Sequence, residues 1–174
     1  MNSSPFPVLQ TERLLLRAVE FGDCEAVFFL RSNEIVNQFI KRTKTENLED
    51  ALAFIEKIKE RIANKLILYW AITRTNDPTM IGSICLWKFS ENGEEAEVGY
   101  DLHPDFQKKG IMSEALDCVV NFGFQQLKLI KIKAYTHVAN EPSKNLLLKN
   151  HFQLVIDEID EGNLDNVIFA RLKN

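Results

Sequence analysis

An α/β fold is what this sequence predicts, and three observations predict it. Short alternating segments bounded by turn residues recur along the chain and read as strands. Among them NLEDALAFIEKIKERIA, 47–63, repeats Leu48, Leu52, Ile55, Ile58 and Ile62 at helical spacing behind Asn47 as cap. A strand, a glycine turn and a helix then follow in immediate succession through EEAEVGYDLHPDFQKKGIMSEAL, 94–116. Neither repeats nor linkers divide the 174 residues, so one domain, 1–174, is expected.

Taken in order, residues 1–10 carry prolines at 5 and 7 and are expected to form a loose arm. TERLLLRAV, 11–19, sets Leu14 and Leu16 against Arg13, Leu15 and Arg17, a strand. After the turn Glu20-Phe21-Gly22, Asp23 is expected to cap a helix to about Ser32, with Val27 and Leu30 inward. Residues 34–45 are expected to be irregular, and the 47–63 helix follows. Segments 66–73 and 79–89 alternate as strands about the turn Asn76-Asp77-Pro78. Asn92-Gly93 favours a hairpin into the strand 94–103, which Pro104 ends because it cannot donate to a ladder. A helix opening at about Ser113 runs through Phe124 and buries Ala115, Leu116, Val119 and Val120. Residues 130–137 form a further strand. Asn140-Glu141-Pro142-Ser143 starts another helix, and strands 152–159 and 164–172 complete the order.

Composition narrows the function. The chain is 45% apolar and 26% charged, as ordinary globular proteins are. No apolar run approaches the ~20 residues of a membrane span, and no basic-then-apolar leader is visible, so neither membrane association nor export is expected. The net charge of −4 comes without a basic stripe, which argues against nucleic acid and favours cationic partners such as amines. Cys24, Cys85 and Cys118 are far apart, odd in number and without metal spacing, and His103, His137 and His151 form no cluster with them. Free thiols in a reducing cytoplasm are expected, with no metal.

The residues around the glycine turn carry the chemistry. Backbone N–H groups converging at 107–112, with the helix dipole behind them, make an anion site suited to a diphosphate. Gln107-Lys108-Lys109-Gly110-Ile111-Met112 resembles the acyl-CoA-binding motif of the GNAT N-acetyltransferase superfamily, Gln/Arg-x-x-Gly-x-Gly/Ala, with Met112 where that motif has Gly or Ala. Asn140-x-x-Ser143-x-x-x-Leu147-x-Lys149-x-His151-Phe152 resembles its second signature, with His151 in place of Gly. Thr11-Glu12-Arg13-Leu14-Leu15-Leu16-Arg17, followed by Asp23, resembles the opening of the Rim-type, ribosomal-protein N-terminal acetyltransferase branch. Together the resemblance covers about residues 9–172.

It implies a GNAT fold: one mixed, mostly antiparallel sheet of about seven strands, splayed in the middle and flanked by about four helices. The strands 94–103 and 130–137 would be the parallel pair that parts, and 34–45 either a wall of the acceptor cleft or a plain surface connection. Acetyl-CoA is the implied cosubstrate. Its pantetheine arm would pair with backbone near Leu102 and His103, its diphosphate would meet Gln107, Lys108, Lys109, Gly110, Ile111 and Met112, and Asn140 and Ser143 would complete the site. Lys144 and Lys149 could help neutralise its phosphates. Glu97 matches the family's acidic position and is the expected general base, Ser143 the expected donor to the departing thiolate, and Tyr135 a weaker alternative donor. A solvent-facing Glu97, and a purely capping Asn140 and Ser143, remain open readings of the same residues. The expected reaction is direct acetyl transfer to a primary amine by a monomer or homodimer. The acceptor is a protein N-terminal α-amine or, alternatively, a small amine such as a polyamine or aminoglycoside. A CoA-binding module without turnover is the third possibility.

Overall fold

In a computed structural model that describes residues 6–173, the strands lie in one eight-stranded sheet. They are β1 (Leu9–Gln10), β2 (Leu14–Ala18), β3 (Ile67–Arg74), β4 (Asp77–Trp87), β5 (Glu95–Leu102), β6 (Lys131–His137), β7 (Gln153–Val155) and β8 (Asn166–Leu172). Their spatial order is β1-β2-β3-β4-β5-β6-β8-β7, and every neighbouring pair is antiparallel except β5 with β6. The helices are α1 (Cys24–Ser32), α2 (Glu34–Asn37), α3 (Leu48–Ala63), α4 (Ile111–Gln125) and α5 (Glu141–Lys149).

Helices cover both faces, which explains why β3 is apolar almost without alternation. Its even positions, Trp70 and Ile72, join a core with Val98, Leu116, Val120 and Leu147 under α4 and α5. Its odd positions, Tyr69 and Ala71, join Val27, Leu30, Ile55 and Ile58 under α1 and α3.

Several sequence expectations are corrected. The end of the arm is a strand: Leu9 and Gln10 pair with Leu16 and Leu15, adding β1 to the seven strands read from sequence, while residues 1–5 lie outside the described residues. Segment 34–45 opens with the short helix α2, because Asn33 Oδ1 accepts the Val36 amide at 3.1 Å. Asp23 precedes α1 without capping it; its carboxylate accepts two bonds from Arg17, each 2.8 Å, and the Glu20 amide at 2.9 Å. On α3 the buried residues are Ala51, Ile55 and Ile58, whereas Leu48 and Leu52 sit 44% and 38% exposed beside the stripe. Helix α4 begins at Ile111 rather than Ser113, since Gly110 takes the cap position in a left-handed conformation. The strand expected over 152–159 shrinks to β7: Ile156 is 89% exposed, and Glu158 is drawn to Lys133 Nζ at 2.5 Å instead.

What matters for the site is the parting of β5 and β6. They pair only from Glu95↔Lys131 to Val98↔Ala134. Beyond that, residues 99–102 of β5 stay hydrogen-bonded to β4 on their other side, and Tyr135, Thr136 and His137 of β6 to β8. A gap edged by free strand backbone opens there.

Candidate active site

The turn after β5 is held in shape by backbone conformation and by the chain's own beginning. Pro104–Phe106 makes one 3-10 turn, and Lys108 and Gly110 then adopt φ of 59° and 76°. An L-residue rarely takes that region, so glycine at 110 relieves strain where the chain reverses into α4. The Arg13 guanidinium lies over Gly110, 3.4 Å from where a Cβ would stand. Its Nη1 donates to the Lys109 carbonyl at 3.0 Å and its Nε to Glu114 at 2.6 Å. Thr11 Oγ1 and the Arg13 amide also donate to Glu114, at 2.5 and 3.1 Å. Burial alone would raise the Glu114 pKa, but these bonds and the arginine charge bring it below the ordinary carboxylate range. The Thr-Glu-Arg opening thus ties the sheet edge to the first turn of α4.

The consequence is a row of amides facing outward. Among the described residues, the N–H groups of Lys108, Lys109, Gly110, Ile111, Met112 and Ser113 have no protein acceptor. Gln107 departs from expectation: its amide donates to the Pro104 carbonyl at 3.1 Å and its side chain to the Leu102 carbonyl at 3.0 Å, so it braces the turn. Ile111 and Met112 turn their side chains into the core, 7% and 8% exposed, leaving only backbone on the outer side. A methionine here removes no donor. Converging amides at positive φ, at a helix N-terminus and beside two lysines, form a cradle for a phosphate-sized anion. The residues present fit the diphosphate of an acyl-CoA.

Leu102 ends β5 beside this turn, and His103 leads into the turn. The His103 amide donates to the Ile81 carbonyl at 2.8 Å, and its ring stacks on Phe29 with centroids 4.2 Å apart. His103 Nδ1 accepts the Asp105 amide at 3.2 Å, which gives the side chain a structural place. Across the gap, Asn140 caps α5 by accepting the Ser143 amide at 3.2 Å. Ser143 Oγ lies 2.8 Å from the hydroxyl of the half-buried Tyr100, whose pKa is pushed up to about 12 by desolvation, against the Ser143 bond. A tyrosine among apolar neighbours needs a partner for its hydroxyl, and that rule was the available signal for this pair. Ser113, unneeded as a cap, exchanges bonds of 3.0 and 3.2 Å with the buried Asn150, joining α4 to the end of α5. Lys144 is spent locally, on the Val138 carbonyl at 2.9 Å and Glu141 at 2.6 Å, so it is not aimed at the cradle. Lys149 lines the groove that also holds Arg13 and Gly110.

Glu97 stands on the opposite face, one residue before the strands part. Its side chain is 14% exposed, with Lys88 Nζ at 3.0 Å. Burial raises its pKa; the Lys88 hydrogen bond and charge oppose this, and Asp160 adds to it. Such a carboxylate holds a proton more readily than a free one and still ionises beside lysine. Tyr135 shares this face, with Lys88 Nζ 5.5 Å from its ring, and so lies apart from Ser143. The arrangement therefore has an anion cradle and a hydroxyl pair toward α4 and α5, and a proton acceptor on the far face of the same gap.

Comparison with known proteins agrees with this geometry. The acetyltransferase (GNAT) domain family matches residues 13–153. The uncharacterised N-acetyltransferase YoaA of Bacillus subtilis is 34% identical over 148 residues, 85% of this chain and 84% of that protein. RimL, a ribosomal L7/L12 alpha-N-protein acetyltransferase solved in complex with coenzyme A, superposes with a TM-score of 0.81 at 20% identity, covering 95% of this chain and 98% of that one. Spermidine N-acetyltransferase from Vibrio cholerae, in complex with CoA and spermine, gives 0.80 at 20% identity, covering 93% and 96%. At that identity the two structures speak to the fold alone. The chain belongs to the GNAT acetyltransferase family, as an N-acetyltransferase.

Proposed function

We propose that this enzyme moves an acetyl group from acetyl-CoA directly to the N-terminal α-amine of a protein or peptide. The observation that carries the donor half is the run of unpartnered amides at 108–113 beside the parted strands. These amides with Lys108 and Lys109 hold the diphosphate; the edge of β5 left unpaired after Val98, up to Leu102 and His103, aligns the arm with Asn140. Acetyl-CoA supplies the acetyl group as a thioester and leaves as a thiol.

The remaining work is moving protons. An α-amine of pKa ~8 is about one-tenth neutral at pH 7, so a positioned base is useful but need not be strong. Glu97 takes the amine proton, directly or through one water, from the face opposite the donor. Ser143 Oγ, sharing its hydrogen bond with Tyr100, supplies a proton or hydrogen bond to the departing sulfur at the N-terminus of α5, where negative charge is favoured. Base and acid thus stand on opposite sides of the bond being exchanged.

RimL acts on a ribosomal protein and the Vibrio cholerae enzyme on spermidine, so both acceptor classes occur on this fold. Two arginines and a lysine beside the gap, Arg31, Arg42 and Lys44, disfavour a polycation and support the peptide reading. The test is calorimetric titration with acetyl-CoA, followed by a panel of peptide α-amines and small amines watched for free thiol. Binding with release on peptides is the expected outcome. Release on small amines alone would transfer the assignment to that class, and binding without release on any amine would remove the enzymatic reading.

A further inference from the structure

On the face that carries Glu97, one segment spans the parted ends of both parallel strands. Phe39 packs on His137 at the end of β6, ring centroids 5.4 Å apart. Arg42 reaches the buried Asp101 of β5, Nη1 to Oδ2 at 3.0 Å, while Ser83 Oγ donates to Oδ1 at 2.6 Å. Nε and Nη2 of Arg42 donate to Asn37 Oδ1 and the Leu30 carbonyl at 2.7 and 3.0 Å, so the guanidinium is fixed on three sides. Beside it a cavity of about 300 Å³ lies between the ends of α1 and α2 and this segment, lined by Arg31, Arg42, Lys44 and Glu34.

Arg31 sets the character of that cavity. Its Nε donates to Thr45 Oγ1 at 3.1 Å and its Nη2 to the Thr43 carbonyl at 3.5 Å, both neutral acceptors. Among the described residues no carboxylate pairs with it, whereas Arg42 has Asp101. Burial lowers the Arg31 pKa and the charge of Arg42 lowers it further, as expected of two guanidiniums held near one another of which only Arg42 has a paired carboxylate. Lys44 adds an exposed cation at the rim and Glu34 an exposed carboxylate. The face of the guanidinium lies on the Phe54 ring, 3.9 Å from its centroid, and Nη1 makes no hydrogen bond among the described residues. A carboxylate entering the cavity would therefore find a half-buried, oriented guanidinium with its Nη1 donors uncommitted.

We infer that the acceptor is a peptide bearing its own carboxylate, which docks against Arg31 while the N-terminal amine lies at Glu97. This rests on the amine-transfer reading above and extends it to the substrate. Glu97 and Asp101 share one face of β5 four residues apart, on the order of 13 Å or about four residues of extended chain, and Asp101 holds Arg42, which lines the same cavity as Arg31. An acidic side chain at the third to fifth residue spans that distance. A free amino acid, with carboxylate and amine on one carbon, does not.

The test uses the whole chain, acetyl-CoA and three peptides of equal length and identical first residue, carrying Glu, Gln or Lys at residues three to five. Thiol release is the readout. The Glu peptide is expected to exceed the Lys peptide about tenfold in kcat/KM, chiefly through KM, the effect of one partly desolvated ion pair. Arg31→Gln should bring that ratio toward one, and Arg31→Glu should invert it. Because each ratio is taken within one preparation, any loss of folded protein in a variant cancels. Equal kcat/KM on the Glu and Lys peptides, or a ratio that the Arg31 variants leave alone, would overturn the inference while peptide acetylation stood. Release on spermidine or free amino acids, with none on any peptide, would overturn both.

Discussion

The two sides of the parted strands are built from different material. Toward α4 and α5 the candidate donor site is mostly backbone: amides at 108–113, positive φ at Lys108 and Gly110, and helix N-termini set by Gly110 and Asn140. Toward α1 and α2 the candidate acceptor site is mostly side chains brought together from distant segments. Arg42 meets Asp101 across 59 positions, Phe39 meets His137, and Lys133 holds Glu158 of the loop after β7 across 25. A backbone site tolerates changes of side chain so long as the turn survives, which is why Met112 can stand where the resembling motif has a small residue. A side-chain site changes its selectivity with single substitutions. Donor and acceptor recognition are thus separable.

The largest expected effect tests that separation at its chemical centre. Glu97→Gln keeps the size of the side chain and removes the base, and should lower kcat on a peptide amine about a hundredfold. The deficit should be greatest at low pH, where few amines are already neutral, and shrink as pH rises toward the amine pKa. For the parent, Glu97 must be ionised to act, and its pKa is raised by burial, so the acid limb of the rate profile should lie above the ordinary carboxylate range. Calorimetry should find acetyl-CoA affinity nearly unchanged. Equal kcat for parent and variant across pH would remove Glu97 as the base.

Gly110→Val attacks the other side. A β-branched residue at φ 76° must strain or move the turn, and its side chain would press on Arg13. Strain of about 1–3 kcal/mol translates into a loss of acetyl-CoA affinity of about five- to a hundredfold. The pH profile of the residual activity should keep the parent's shape. A profile that shifted with it would show that the two sides are coupled.

Glu114→Gln is a gentler version of the same break. It weakens the clamp by which Thr11 and Arg13 hold the turn, and should raise KM for acetyl-CoA about fivefold with little change in kcat. It also carries a pH signature. The folded-state pKa of Glu114 is depressed, so its contribution to stability is present above the unfolded carboxylate pKa and is lost as pH falls through the folded value. The parent should therefore lose more stability than the variant over that acidic interval, as read by thermal melts. Identical acid sensitivity would mean that the clamp contributes little.

How far these features were legible follows the same division. Gly110, Asn140 and the strand–turn–helix order were legible because each is a local rule: positive φ wants glycine, a helix start wants Asn, a strand alternates. The start of α4 was misplaced by two residues because Ser113 looks like a cap, yet Gly110 makes the turn and Ser113 is used on Asn150. The extended strand at 152–159 failed for a non-local reason: only three residues find β8, and the exposed Ile156 has no neighbour to reward alternation. That the Tyr100 hydroxyl needs a partner was legible, but that Ser143 supplies it was not, nor were the pairings of Arg13 with Glu114 and Arg42 with Asp101, since nothing in spacing along the chain encodes which polar groups meet across a sheet.

The smallest effect concerns a departure that the sequence did expose. His151 stands where the second signature has Gly, and it takes φ 64° at the end of α5. The amides of His151 and Phe152 donate to the carbonyls of Leu148 and Leu147 at 3.1 and 3.0 Å, and Phe152 is buried with Leu147, which together make a Schellman ending. That motif asks for a left-handed residue after the cap, so the geometry of a glycine is kept while the residue is not. Holding an L-residue there costs about 1–2 kcal/mol, and glycine returns part of the gain by freeing the unfolded chain, about 0.5–1 kcal/mol. His151→Gly should therefore stabilise the protein by about 0.5–1 kcal/mol and raise Tm by about 1–3 °C. His151→Val should lower it, because a β-branched side chain fits the left-handed region worst. If the glycine variant melted no higher than the parent, the strain would have to be offset by contacts of the imidazole itself.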